Sequence, residues 1–515
     1  MEILNQAYCT VPEGTAFIPG EEAFLRHSSR WPLLTVARVV NADTETPVSA
    51  YIKLAGDSYS FLLESAEGGE RWGRYSLVGC NPLDVVVFRR GRVEHPLKGV
   101  VVEGVDPVVY IFQELAKYST PPVIPGIPFS GGAVGYFGYD LLPYMDRFRV
   151  REKPGLGVPE MSFVLTRDSA VFDHLLGRII LMRHVPIPTR ATDNDIRSLY
   201  REAANRLDEM AEKLHGPLKT RPLDLYFLSP EIDGKALESN FTQERFEEAV
   251  MKAKEYIFQG EVFQAVISQR FRLSIKCHPF SIYRALRSEN PSPYMFFLNM
   301  KDVVLVGSSP EPMVRQRGGE ALIRPIAGTR RRGKDPEEDR LLEEELKRDE
   351  KERAEHVMLV DLARNDLGRV CLPGSVKVTR RMFVEKYSHV MHLVSEVAGK
   401  LRPGKGNLDL LRATFPAGTV SGAPKIRACE IIDELEPERR GPYAGAVGYL
   451  SYTGDMDTCI TIRTVVISGS TAYVQAGAGI VADSHPAREY EETLNKARAL
   501  LYAVRKAESM EGMFL

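Results

Sequence analysis

Tryptophan is scarce, with 2 residues in 515, and neither sign of charge prevails. The 67 lysines and arginines face 69 aspartates and glutamates, a formal net charge of −2. A chain this close to neutrality has no global basic field, so nucleic acid is not an expected partner. No uninterrupted apolar run reaches the ~20 residues that span a bilayer, so no membrane partner is expected. The start, Met1-Glu-Ile-Leu-Asn-Gln6, lacks a basic stretch followed by an apolar one, so no secretory signal is expected. The six cysteines (Cys9, Cys80, Cys277, Cys371, Cys429, Cys459) are scattered and form no Cys-x-x-Cys pair. That argues against a zinc site or a disulfide framework, and for free thiols in the cytoplasm. No G-x-G-x-x-G or Walker-type loop is present, which argues against dinucleotide or nucleoside-triphosphate binding.

What is there is an ordinary globular composition, 44% hydrophobic and 26% charged, long enough for two large packed lobes. Residues 1–215 read as an N-terminal lobe and 241–515 as a second lobe. Residues 216–240, with Pro217, Pro222, Pro230 and Gly234, read as a linker. The first lobe is mainly strands, among them Val48-Ser-Ala-Tyr-Ile-Lys-Leu54, Ser60-Phe-Leu-Leu63, Asp84-Val-Val-Val-Phe88 and Arg178-Ile-Ile-Leu-Met182. The second mixes helices with strands such as Gln264-Ala-Val-Ile-Ser268 and Cys459-Ile-Thr-Ile-Arg463. Many antiparallel-type strands with segregated helices point to an α+β fold. A short echo, Gly132-Ala-Val-Gly-Tyr136 and Gly445-Ala-Val-Gly-Tyr449, is either a chance match or the mark of two related sheets, each with a strand that another backbone approaches closely.

Two helix-patterned segments each carry glutamates three residues apart: Glu352 with Glu355, and Glu489 with Glu492. Residues at this spacing share a helix face. Glu352 and Glu355 read as lying at the mouth of a packed region, whereas Glu489 and Glu492 alone read first as a solvated face. Brought together, four carboxylates demand a cation, and Mg²⁺ with an anionic substrate is the natural pairing. Arg324-Pro-Ile-Ala-Gly-Thr-Arg330 reads as a strand entering a glycine turn that could hold a carboxylate, or as a plain turn before a basic surface. Thr414-Phe-Pro-Ala-Gly-Thr-Val-Ser-Gly-Ala-Pro-Lys425 leads small residues and hydroxyls into a helix, a pattern that suits either an anion or simple capping.

Taken in order, these segments resemble the chorismate-utilising enzymes, most of all the large aminase subunits of anthranilate synthases. The resemblance runs through Gly307-Ser-Ser-Pro-Glu311, Pro325-Ile-Ala-Gly-Thr-Arg330, Lys351-Glu-Arg-Ala-Glu-His356, Asp361-Leu-Ala-Arg-Asn-Asp-Leu-Gly-Arg369, His392-Leu-Val-Ser395, Phe415-Pro-Ala-Gly-Thr-Val-Ser-Gly-Ala-Pro-Lys425 and residues 477–496. It implies two intimately packed lobes whose large, mostly antiparallel sheets form a sandwich flanked by helices. It implies Mg²⁺ held by Glu355 and Glu492, with Glu352 and Glu489 nearby. Arg463 and Tyr443 would hold the enolpyruvyl carboxylate. Gly328, Thr329, Gly477, Gly479 and Lys496 would complete the substrate site. Glu311, Thr419 and His392 would be catalytic, Glu311 as general acid on the departing hydroxyl.

Two positions select among relatives. Some aminodeoxychorismate synthases carry a nucleophilic lysine where this chain has Ala327. Isochorismate and salicylate synthases carry a lysine base where it has Gln264. Without either lysine, ammonia itself is the expected nucleophile and anthranilate the expected product. Aminodeoxychorismate synthase component I, or a non-catalytic binding protein, is the alternative. Leu63, Glu64, Ser65, Pro293, Tyr294, Met295 and Cys459 resemble a feedback site for L-tryptophan, with Glu64 taking the ligand's ammonium. The chain contains no recognisable glutamine amidotransferase block. The resemblance therefore implies a separate glutaminase subunit in a hetero-oligomer.

Overall fold

The computed structural model describes residues 16–56, 58–65, 73–218, 220, 238–387 and 390–509. Most of the expected linker, together with Cys9, lies outside the described residues. The fold is α+β, and its strands gather into a 13-stranded and a 12-stranded sheet in which neighbouring strands run antiparallel.

Period-2 alternation explains why the sheets stack as a sandwich. Along Asp84–Arg89, Val85 and Val87 enter one apolar cluster while Val86 and Phe88 enter another. Gly132–Phe137 repeats this, with Val134 and Tyr136 on one side and Ala133 and Phe137 on the other. The first cluster joins Val134 and Val447 of the smaller sheet to Phe61 and Phe296 of the larger between the sheets, and continues onto the far face of the larger sheet, where Phe297 meets Tyr51 and Phe280. The second lies under the helices Pro107–Ala116 and Asn407–Thr414. Strands buried on both faces read as near-continuous apolar runs.

Both halves of the chain build both sheets, in blocks. In the larger sheet the blocks join where Ser60–Glu64 pairs with Tyr294–Asn299. In the smaller they join where Gly132–Phe137 pairs with Ala446–Ser451. The sequence echo is that second junction: the two copies are hydrogen-bonded partners in one sheet, with Gly135 opposite Gly448. The expected close backbone approach is real, since a Cβ on Gly135 would lie 2.0 Å from the Ser162 carbonyl oxygen. The expectation of two separate sheets is corrected.

Two local readings also change. Residues 47–54 form the helix Pro47–Leu54 and not a strand. Thr46 caps it through a reciprocal pair with Ser49, Pro47 opens it, and Pro47, Ala50, Tyr51 and Leu54 bury one helical face. The strand containing Cys459 is Met456–Ile460 and stops short of Arg463, which has φ +48°. The charged stretch after Asp335 is two helices, Pro336–Arg348 and Glu350–Gly368. Asp349 separates them and accepts a bond from the Glu352 amide.

Candidate active site

Gly328 sits in a bulge, not a turn. The strand Ile326–Arg331 pairs with Val390–Lys400, and the register slips between Ala327 and Thr329. Gly328 takes φ +69° there, which glycine adopts freely. A Cβ at this position would meet the Leu346 methyl at 2.9 Å and a Glu352 carboxylate oxygen at 3.1 Å, so bare backbone lies against Glu352. Beyond the bulge Thr329 stands opposite His392, and their side chains bond at 2.9 Å (Oγ1 to Nδ1). His392 Nδ1 also lies 3.3 Å from the Gly328 carbonyl oxygen. A carbonyl only accepts, so Nδ1 carries the proton and Nε2 is the basic nitrogen. Burial pulls the imidazole down to about 4, leaving it neutral.

The Thr419 hydroxyl donates to Glu311 Oε1 at 2.9 Å. Burial pushes Glu311 up to about 8, although the Thr419 bond and the charges of Lys496 and Arg463 pull the other way. At neutral pH it is a protonated acid. Gly418 lets the Thr419 turn close onto the helix Glu350–Gly368, since a Cβ there would strike Leu362 at 2.3 Å. Arg463 has no side-chain hydrogen-bond or ion-pair partner among the described residues; Glu311 is the charge that acts on it. Its left-handed backbone, and that of Ala444 (φ +63°) beside Tyr443, store strain where two expected binding side chains are presented.

Gly477 and Gly479 lie on the strand Thr471–Ile480, opposite Ser268 and Val266. Side chains there would crowd the Tyr443 hydroxyl (3.0 Å) and the Gln264 amide (2.5 Å). Lys496 donates to the Gly477 carbonyl at 3.0 Å and pairs with Glu492 at 2.6 Å.

The two glutamate helices, Glu350–Gly368 and Pro486–Ser509, face the same space. Lys351 and Lys496 both act on Glu355 and on Glu489. Burial raises Glu355, and Glu352 raises it further. Burial raises Glu489, and Glu492 adds to it. Glu352 is tied to Arg330 at 3.1 Å, and Glu355 accepts a long 3.4 Å bond from Gln264. Among the described residues no three acidic, histidine or cysteine side chains converge on one point as a metal cluster. The donors are nonetheless hard carboxylates that repel one another in a partly buried place, and that chemistry fits Mg²⁺. Arg330 and Gln264 hold two of the four glutamates, which sequence reasoning did not foresee. Arg463, Glu492 and Lys496 line a cavity of about 540 Å³, and Glu311 and Thr419 line a recess of about 40 Å³.

Leu63, Glu64, Ser65, Pro293, Tyr294, Met295 and Cys459 all line one other cavity, of about 410 Å³, at the junction of the two halves. Glu64 is already bonded by Tyr283 and by Arg287, whose Nε lies at 3.0 Å. Asp457, unforeseen from sequence, faces the same cavity. It accepts from the Tyr294 hydroxyl at 3.0 Å and is pushed up to about 6 by burial. Strand alternation was the available signal, because Asp457 is two residues before Cys459 on the strand Met456–Ile460.

Residues 61–502 match the family described as chorismate binding enzyme. Anthranilate synthase component 1 of Pseudomonas aeruginosa is 48% identical over 475 residues, 91% of this chain and 94% of that protein. The same-named protein of Thermus thermophilus is 49% identical over 471 residues, 91% of this chain and 97% of that one. Among solved structures, anthranilate synthase component I from Streptococcus pneumoniae superposes with a TM-score of 0.72 at 38% identity, covering 90% of this chain and 99% of that chain. The menaquinone-specific isochorismate synthase of Escherichia coli, at 20% identity and a TM-score of 0.66, shares the fold. By these matches the chain belongs to the chorismate-binding enzyme family.

Proposed function

We propose that the chain is the large, aminating subunit of an anthranilate synthase. It would convert chorismate and ammonia to anthranilate, pyruvate and water. The observation that carries this reading is Glu311, a buried carboxyl that keeps its proton at neutral pH beside a Thr419 donor. Ammonia forms the ring C–N bond as the ring hydroxyl leaves with the Glu311 proton as water. A ring proton then passes to a base, and the enolpyruvyl C–O bond breaks to release pyruvate and an aromatic ring. Neutral His392, with Nε2 unprotonated, suits that second proton transfer. Arg463, lacking a protein partner among the described residues, suits a carboxylate taken bidentately.

Among the described residues no lysine takes the nucleophile's place. Ala327 is buried opposite Leu393, Gln264 is an amide held at Glu355, and Lys496 is occupied by Glu492 and the Gly477 carbonyl. The nucleophile must therefore come from solution or from a partner. We assign its supply to a glutaminase subunit, and the enzyme to the cytoplasm, in keeping with five free, buried cysteines among the described residues. Glu355 and Glu492, with Glu352 and Glu489 beside them, would hold Mg²⁺; when bound, the ion supplies charge neutralisation for the ring carboxylate.

We assign the cavity of about 410 Å³ to L-tryptophan as feedback inhibitor. Its size and its mix of apolar wall with a few polar groups suit an amino acid. Asp457 joins Glu64 as a candidate partner for the ammonium: Arg287 pairs with Glu64, and Arg315 and Arg317 act on Asp457.

Incubation with chorismate, Mg²⁺ and ammonium is expected to give anthranilate fluorescence, lost on chelation; aminodeoxychorismate as the only product would refute the assignment. The kcat/KM profile should lose activity as pH rises through about 8, where Glu311 gives up its proton. Glu311→Gln should remove that limb along with most turnover, and an unchanged limb at reduced rate would assign it to another group. Ser65→Ala and Asp457→Asn should keep turnover and weaken tryptophan inhibition by about tenfold or more, as loss of one bond to a charged group implies. Inhibition at wild-type strength in both would remove the inhibitor from this cavity.

A further inference from the structure

The bulkiest fully buried side chain of the described residues is a charged one, Arg440. Its side chain is 1% exposed, and that of its partner Glu436 is 4% exposed. Arg440 meets Glu436 as a fork, Nη2 to Oε1 at 2.6 Å and Nε to Oε2 at 2.9 Å. A buried ion pair is weak evidence of stability, since a well-packed apolar pair often serves as well. Its position gives another reason for it.

The free bonds of the pair go to the frame of the site. Arg440 Nη1 donates to the Val420 carbonyl at 2.7 Å, one residue beyond Thr419. Nη2 donates to the Val266 carbonyl at 2.7 Å, and Val266 stands opposite Gly479. Glu436 Oε1 accepts from the Ser268 amide at 2.8 Å and from its hydroxyl at 2.7 Å, and Ser268 stands opposite Gly477. The guanidinium carbon lies 5.5 Å from the centre of the Tyr443 ring. Along Gln264–Ser274 the neighbouring segment Gly422–Ala423 reaches Gln264 and Ala265 only. Past it the ion pair takes the Val266 carbonyl and the Ser268 amide, bonds that a further strand would otherwise supply.

We propose that Arg440, held by Glu436, is a positioning residue for the reaction. One rigid fork sets the Thr419 turn, the strand facing Gly477 and Gly479, and the Tyr443 ring in a common frame. The acid Glu311 and the substrate carboxylates then meet their partners together. This rests on the chorismate reading above. Planar, multi-bond geometry is the property that arginine has and lysine lacks.

Arg440→Lys keeps the charge and loses the fork, so it tests the proposal directly. It should keep the wild-type near-ultraviolet circular dichroism and melt within a few degrees of it. Its kcat/KM for chorismate should fall about 100-fold, with KM up and kcat down, as displacement of about 1 Å can produce. The KM for ammonium at saturating chorismate should not move. A folded variant with wild-type constants overturns the proposal. So does loss of activity that merely tracks loss of fold, with the folded fraction fully active. If Arg440→Lys does not fold, Glu436→Gln decides: it keeps the bonds to Ser268 and weakens the hold on Arg440. A folded Glu436→Gln should lose about tenfold in chorismate kcat/KM, and the wild-type value overturns the proposal. Absence of anthranilate from wild-type protein would refute the functional reading instead. A crystal structure of Arg440→Lys would still be decisive in that case, since an unmoved turn at residues 418–421 overturns the positioning role.

Discussion

Ionisable groups held out of water without full compensation are the constraint on which the rest of this structure depends. Glu311 stays neutral because burial outweighs three favourable neighbours. Arg463, near it, has no side-chain partner among the described residues. Glu355 and Glu489 are each raised by burial and by another glutamate. Such groups cost several kcal/mol unless the surroundings answer them, and surroundings that answer them with protein alone leave nothing for a substrate. Here protein answers part: Arg330 takes Glu352, and Lys496 takes Glu492. The remainder is the pattern of charge that the proposed substrate and cation would meet.

Holding that pattern requires a stiff frame, and the sandwich supplies it. The glycines of the site keep backbone close to backbone or to a site residue: Gly328 against Glu352, Gly418 against Leu362, and Gly477 beside Tyr443. The second cavity shares this frame. Tyr294, in its wall, pairs with Ser309, two residues before Glu311, and Met295 pairs with Ser308, whose amide bonds the Arg463 carbonyl. The strand Met456–Ile460 gives Asp457 and Cys459 to that cavity, and the Ile460 amide bonds the Glu311 carbonyl. A ligand in one cavity and the acid in the other thus bear on the same two strands, a physical basis for coupling between distinct sites.

Much of this was legible in the sequence, and the exceptions have physical causes. Antiparallel-type strands such as Asp84–Arg89, with segregated helices, pointed to the α+β class, and the sandwich was implied by the family resemblance. Residues 47–54 were misread because Val48 and Ile52 suit a strand; the Thr46 cap and Pro47 overrode that preference. The Gly328 bulge read as a turn because a lone positive-φ glycine serves both. The identity of the site residues was carried by ordered motifs. Their local partners were not, because the bonds of Arg330 to Glu352, of Gln264 to Glu355 and of Arg440 to Val266 join segments distant in sequence. Asp457 had a local signal in strand alternation, whereas the pairing of the two Gly-Ala-Val-Gly-Tyr copies with each other had none.

If uncompensated charge is the organising feature, the cation and the substrate must each make room for the other. Titration calorimetry of Mg²⁺ into the protein, with and without chorismate at low temperature and without ammonium, measures this directly. Each ligand should tighten the other by roughly 5- to 150-fold, the usual range of such coupling, and Glu355→Gln should abolish the effect. Equal Mg²⁺ affinity with and without chorismate would contradict it.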